Sequence, residues 1–148
     1  MSFRFPLQAV FKLRQSLEHQ QELRLRACNQ QVAQMQAGIE RVEGRREELR
    51  ETQDRELSAG MTAAELRFSL ECEAELVRYK SELEQQLIRM QQIRDQQREL
   101  FQQARMARET LEAVRDRQLH AYRQETSRRE QRNLDEMFLL RKQRSRPG

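Results

Sequence analysis

Apolar residues recur at alternating spacings of three and four along the first third of the chain. Leu25, Cys28, Val32, Met35, Ile39 and Val42 form an unbroken run of this kind, the pattern by which helices wind around one another. Polar residues interrupt its continuations. One row reads Phe11, Glu18, Leu25, Val32, Ile39, Arg46, Gln53, and its companion reads Leu7, Arg14, Gln21, Cys28, Met35, Val42, Leu49, Glu56. A second pair of rows follows, with Leu76, Leu83, Met90, Gln97, Ala104, Leu111, Gln118 beside Tyr79, Gln86, Ile93, Leu100, Ala107, Val114, Ala121. Eleven of these 14 positions are apolar or aromatic.

Between the two sets lies Leu57-Ser58-Ala59-Gly60-Met61-Thr62. Glycine suits the left-handed position that ends a helix. Thr62 and Glu65 have the spacing of a capping box, in which each side chain takes the other residue's free backbone N–H. A short turn makes neighbouring helices antiparallel. The expected fold is therefore all-α: an antiparallel two-helix coiled-coil hairpin with unequal helices. It forms a single domain over 1–148, with a helix over about 6–57, a turn at 58–61 and a helix over about 62–143. Pro6 is suited to the first turn, where its missing N–H costs nothing. Gly38 and Gly44 fall inside the first helix and mark either a bend or a close approach.

The inequality has a consequence. If the chain reverses near Gly60, Val42 comes opposite Tyr79, Cys28 opposite Ile93, and Leu7 reaches only to about Ala113. Beyond Val114 the second helix overhangs, and its seam turns polar at Gln118, Glu125 and Arg128. An isolated helix is marginal in water, so the overhang calls for a partner. An apolar cluster, Leu134, Met137, Phe138, Leu139 and Leu140, reappears within it, as on an interface.

Composition narrows the class. Arg, Gln and Glu supply 66 of the 148 residues, while Val, Ile and Thr total 12; helix formers abound and strand formers are scarce. The net charge of +4 resides in the last 26 residues, which hold eight basic and four acidic side chains against 20 of each in the remainder. Glu125, Glu130, Asp135 and Glu136 interleave those arginines, which argues against a nucleic-acid arm. The longest apolar run, Met137 to Leu140, is far short of a membrane span, and no apolar leader stretch opens the chain. Cys28 and Cys72 have neither metal-ligand spacing nor matching register for a disulfide. No phosphate loop is present. His19 and His120 stand apart from any catalytic partner, and a thin hairpin offers no cleft to pair carboxylates. No enzymatic activity, metal or cofactor is expected.

With these features in place, the chain resembles the FliJ family of the bacterial flagellar type III export apparatus. Phe3-Arg4-Phe5-Pro6-Leu7 leading into Leu13-Arg14, the turn Ser58-Ala59-Gly60-Met61-Thr62, and Asn133-Leu134-Asp135-Glu136-Met137 with Arg141 carry the resemblance, which spans the full length. It implies a non-enzymatic, cytoplasmic protein, peripherally associated with the inner face of the membrane at the flagellar base and required for motility. Such a protein is a monomeric coiled-coil stalk whose terminal end enters the export ATPase hexamer. It also contacts the export gate and escorts export chaperones.

Carried over by position, the gate-binding row falls on Cys72, Leu76, Tyr79 and Leu83. This sequence departs from the family pattern in residue type at most of these positions. The four also lie on the expected seam, which makes core packing their competing role. The ring-binding end falls on Arg128, Arg132, Leu134, Asp135, Glu136, Met137, Phe138, Leu140 and Arg141. The equivalent stalk of a virulence injectisome and a generic coiled-coil scaffold are the alternative readings.

Overall fold

The computed structural model describes residues 2–145 and consists of two helices, α1 (Gln8–Ala59) and the longer α2 (Ala63–Ser145), packed against each other. Between them Gly60 has φ +101°, a conformation that side chains rarely adopt. Thr62 then caps α2: its Oγ1 accepts from Glu65 N–H at 3.2 Å, and Glu65 Oε2 accepts from Thr62 N–H at 3.4 Å. Ser58 closes the other side, its hydroxyl donating to the Asp54 carbonyl at 2.9 Å.

The glycines invite a two-sided test. A methyl at Gly60 meets nothing within 4 Å, so its cost is purely that of the backbone. A methyl at Gly44 likewise meets open space, but on helical backbone. Gly60→Ala is therefore expected to cost about 1 kcal/mol and Gly44→Ala to gain about as much. Thermal unfolding followed by circular dichroism reads both. Gly38 is not forced by a close approach either, since a methyl there would sit at ordinary contact distance, 3.9 Å, from Leu83 Cδ1.

Two packed units divide the chain. The first, His19–Gln102, contains the turn. Its cross-helix register follows from Gly60: Gln53 donates to Ser69 Oγ at 2.8 Å, Gly38 faces Leu83, and Gln97 donates to Gln21 Oε1 at 2.5 Å. The α1 side of its seam, including Leu25, Cys28, Val32, Met35, Ile39, Val42 and Leu49, is buried or half-buried as the spacing predicts.

On α2 one of the two expected rows is displaced by a residue. Leu76, Leu83, Met90 and Gln97 do face α1. Their companion row is Glu73, Lys80, Leu87 and Arg94, all half-buried, and not Tyr79, Gln86, Ile93 and Leu100, which are exposed. The pairing of Val42 with Tyr79 and of Cys28 with Ile93 is corrected accordingly. From Leu76 a helical seam continues equally well by three residues or by four. Counting apolar side chains selects three. The folded chain selects four, because the charged residues there find partners on α1. Lys80 Nζ lies 2.5 Å from Glu43, and Glu73 lies 3.6 Å from Arg46 and 3.1 Å from Arg50. Long stems cover the seam while the heads pair at its edge.

The second unit combines the start of the chain with the far part of α2, from Gln103 onward. Phe11 is its deepest residue, 2% exposed. The Phe5 ring meets Phe11 edge-on at 6.5 Å, and the Arg115 guanidinium lies 4.7 Å from the Phe11 centroid. Pro6 precedes α1 by two residues, in a turn closed by Gln8 N–H on the Phe5 carbonyl at 3.1 Å. Phe3, upstream of that turn, reaches Tyr122 at 5.5 Å between ring centroids. The coverage of α2 thus extends past the limit near Val114, because helical Phe11 and Glu18 meet residues five or six beyond those expected, Arg115 and Arg108, and the non-helical residues before Pro6 pack as well. From Arg123 to Ser145 the described residues are exposed apart from half-buried Thr126.

Candidate interaction surfaces

Four residues two turns into α2 are the candidates for gate binding. Cys72, Leu76 and Tyr79 line a shallow groove of about 1200 Å³ between the helices, walled on the α1 side by Arg45, Leu49 and Thr52. Cys72 and Leu76 are half-buried, while Tyr79 is 53% exposed. Leu83 does not line this groove. It is half-buried opposite Gly38 and belongs to the seam.

Phe68, 69% exposed, also lines the groove and escaped the sequence reading. It stands one helical turn before Cys72, so the i, i+4 relation was the signal that could have found it. The walls carry both signs: Arg45 and Arg78 on one hand, Glu48, Glu71 and Glu75 on the other.

Ion pairs hold the helices in register around these surfaces. In the second unit Glu18 accepts from Arg108 Nε at 2.6 Å and from its Nη2 at 3.1 Å, and Glu112 accepts from the same guanidinium. The hydrogen bonds from Arg108 hold the Glu18 carboxyl below its usual range, against an opposing effect of burial. In the turn-bearing unit the hydrogen bond from Lys80 does the same for Glu43, and the Lys80 ammonium is raised in return.

The sign follows from linkage. A lowered carboxyl contributes stability that is fully present above its unfolded value, about 4.3, and is lost as pH falls through the lower folded value. The raised Lys80 contributes below its unfolded value, about 10.4, and that contribution is lost as pH rises through the folded one. The melting temperature is therefore expected to fall on acidification below about pH 4. Glu18→Gln should cost about 1 kcal/mol at neutral pH and flatten that acid limb.

The candidate ring-binding residues lie on the exposed end of α2. Leu134, Asp135, Met137, Phe138 and Arg141 border one shallow depression. Leu134, Met137, Phe138 and Leu140 are each more than half exposed. At the helical period of about 100° per residue, Leu134, Met137, Phe138 and Arg141 share one face. Arg128, Arg132 and Glu136 fall on the opposite face, with Leu139 among them. The nine expected residues therefore surround the helix and do not form a single stripe.

Among the described residues no group of three or more His, Cys, Asp or Glu is placed to hold a metal, and both cysteines are free thiols. No helix among the described residues is long and apolar enough to cross a membrane. No curated protein and no solved structure matches the chain. The family model described as "Flagellar FliJ protein" matches residues 3–147. That span takes in the aromatic start, the glycine turn and all of the exposed end of α2. The chain belongs to the FliJ family, and so is a structural component of the flagellar type III export apparatus.

Proposed function

We propose that this protein is the coiled-coil stalk of the export apparatus, with the exposed end of α2 seated in the central hole of the hexameric export ATPase. The observation that supports this reading best is the distribution of side chains from Arg128 to Arg141. Apolar and charged residues there are exposed around the whole helix. A partner that encloses a helix contacts all its faces, whereas a groove contacts one stripe. Phe138 supplies the largest apolar anchor. The arginines meet acidic loops of the ring, adding association rate and register more than affinity.

The groove of Phe68, Cys72, Leu76 and Tyr79 is the second contact, with the cytoplasmic domain of the export gate, and export chaperones are escorted between the two. The protein works in the cytoplasm at the inner face of the membrane. The family match to a flagellar protein favours this system over a virulence injectisome.

The groove is tested by Tyr79→Asp. Because Tyr79 is 53% exposed and outside the seam, the variant should keep its helicity and melting temperature. It should lose binding to the gate domain by about tenfold or more, equivalent to about 1.4 kcal/mol. Unchanged gate binding by a folded variant removes the groove from the proposal.

A further inference from the structure

Within His19–Gln102 the seam on α2 seats charged residues where an apolar one stands a single position earlier. Gln53 donates to Ser69. Counting outward from that pair in equal steps sets Leu49 level with Glu73, Val42 with Lys80 and Cys28 with Arg94. All six are buried or half-buried. The residues one step back on α2 are Cys72, Tyr79 and Ile93. They lie about 1.5 Å away along the axis, and Tyr79 is 53% and Ile93 48% exposed. Each charged seam residue therefore has an apolar substitute at nearly its own level.

Both rows repeat every seven residues, and both share Leu76, Leu83 and Met90 as companions. Either seam fits a two-helix coiled coil. The charged row lies four residues after the shared one, the apolar row three. At about 100° per residue, the two seams differ by a turn of α2 about its own axis through about 50°. On the α1 side a depression of about 230 Å³, bounded by Gly38, Arg41, Val42 and Arg45, lies open beside Tyr79. A turn in that direction carries the tyrosine ring into it.

Gains and losses of such a turn offset one another. The observed seam keeps Lys80 with Glu43, Glu73 with Arg50, and Arg94 with Asp95. Part-exposed ion pairs of this kind contribute little. The turn also gives up Leu87 for Gln86, and in return it covers Tyr79 and Ile93, which is favourable in proportion to the apolar area removed from water.

We infer that α2 exchanges between two seats on α1, the one in the structure and one turned by about 50°, with Cys72, Tyr79 and Ile93 replacing Glu73, Lys80 and Arg94 in the seam. α1 presents the same face in both. Packed helices of this kind switch between discrete seats and do not deform continuously. Gly60, Met61 and Thr62 are not helical, and a glycine at this joint accommodates a change of backbone angle. The exchange opens and closes the groove: Tyr79 lines it in the observed seat and packs against Val42 in the turned one. The inference does not rest on gate binding at the groove. It adds to that reading that only the observed seat presents Tyr79.

Oxidative cross-linking of the full chain to the native Cys28 tests it, with Cys72→Ala in every variant. A disulfide needs Cα atoms within about 7 Å, so a second thiol closes on Cys28 only when it faces α1. Arg94→Cys reads the observed seat and Ile93→Cys the turned one. Both are expected to close within single chains, Ile93→Cys the more slowly, because the turned seat is the minor one. Glu43→Gln removes the partner of Lys80 and should speed closure at position 93. Lys80→Leu suits the observed seam and should slow it. The two rates should differ at least about tenfold, with helicity by circular dichroism unchanged in all variants. An Ile93→Cys chain that stays reduced overturns the inference. So does closure at position 93 at one rate in the Glu43→Gln and Lys80→Leu backgrounds, which would mark looseness within a single seat.

Discussion

Removal of residues 124–148 is expected to leave a folded helical pair that neither stimulates the export ATPase nor supports swimming. The folding half of this expectation rests on packing. The last cross-chain contact between rings joins Phe3 to Tyr122, and the described residues after it are exposed apart from half-buried Thr126. Their loss forfeits little buried surface, so the melting temperature should hold nearly constant. The binding half rests on what is removed: Leu134, Met137, Phe138 and Leu140, exposed on several faces, and the arginines around them. A desolvated aromatic anchor dominates contacts of this kind, so Phe138→Ala alone should cost about 2 kcal/mol in ring binding. Part of the gross interaction is spent on ordering a helix that is marginal by itself. ATPase binding by the truncated chain equal to that of the full chain would place the ring contact elsewhere.

The largest loss of stability from a single side chain is expected at Phe11. A two-helix pair has few deep positions. Among the described residues the buried apolar ones are Phe5, Phe11, Val32 and Val42, and Phe11 at 2% exposure is the most enclosed. Phe5 packs on its edge and Arg115 on its face. Phe11→Ala removes the ring and leaves both neighbours without a contact, at a cost of about 3 kcal/mol or more. Whole domains are stable by only about 5–15 kcal/mol. The loss should therefore appear as fast amide exchange around Phe3–Glu18 and Gln103–Tyr122, with slower exchange retained near the turn. Leu134→Ala, on exposed helix, is the control and should leave exchange unchanged. Protection equal to wild type in Phe11→Ala would remove the aromatic contact as the lock of this unit.

The parts legible in the sequence are those with a single physical solution. Gly60 followed by Thr62 and Glu65 permits one reading, a left-handed stop and a capped restart, and the hydrogen bonds match it. The α1 seam was legible because no second apolar row competes with it. The α2 seam was not. Leu76 can be continued by Tyr79 or by Lys80, and apolarity favours the tyrosine. Only the position of Glu43 on the other helix makes the lysine the better neighbour, and a pairing between distant residues is invisible to periodicity. The family resemblance makes Leu83 an interface residue and periodicity makes it a seam residue, and it is half-buried opposite Gly38 in the seam. The reach of Phe3 was missed for a different reason: helix lengths set the expected limit, and Phe3 packs without being helical.

Photo-cross-linking decides whether the export ATPase encloses the exposed end of α2. A benzophenone side chain is placed at position 138, at position 136 on the opposite face, and at position 79 in the groove. Each is irradiated in cells that carry the assembled apparatus. Positions 138 and 136 are both expected to capture the ATPase, because a helix in a hole is touched on all sides, and position 79 is not. Capture of the ATPase from position 79, or failure of either position on the α2 end to capture it, would overturn the enclosure.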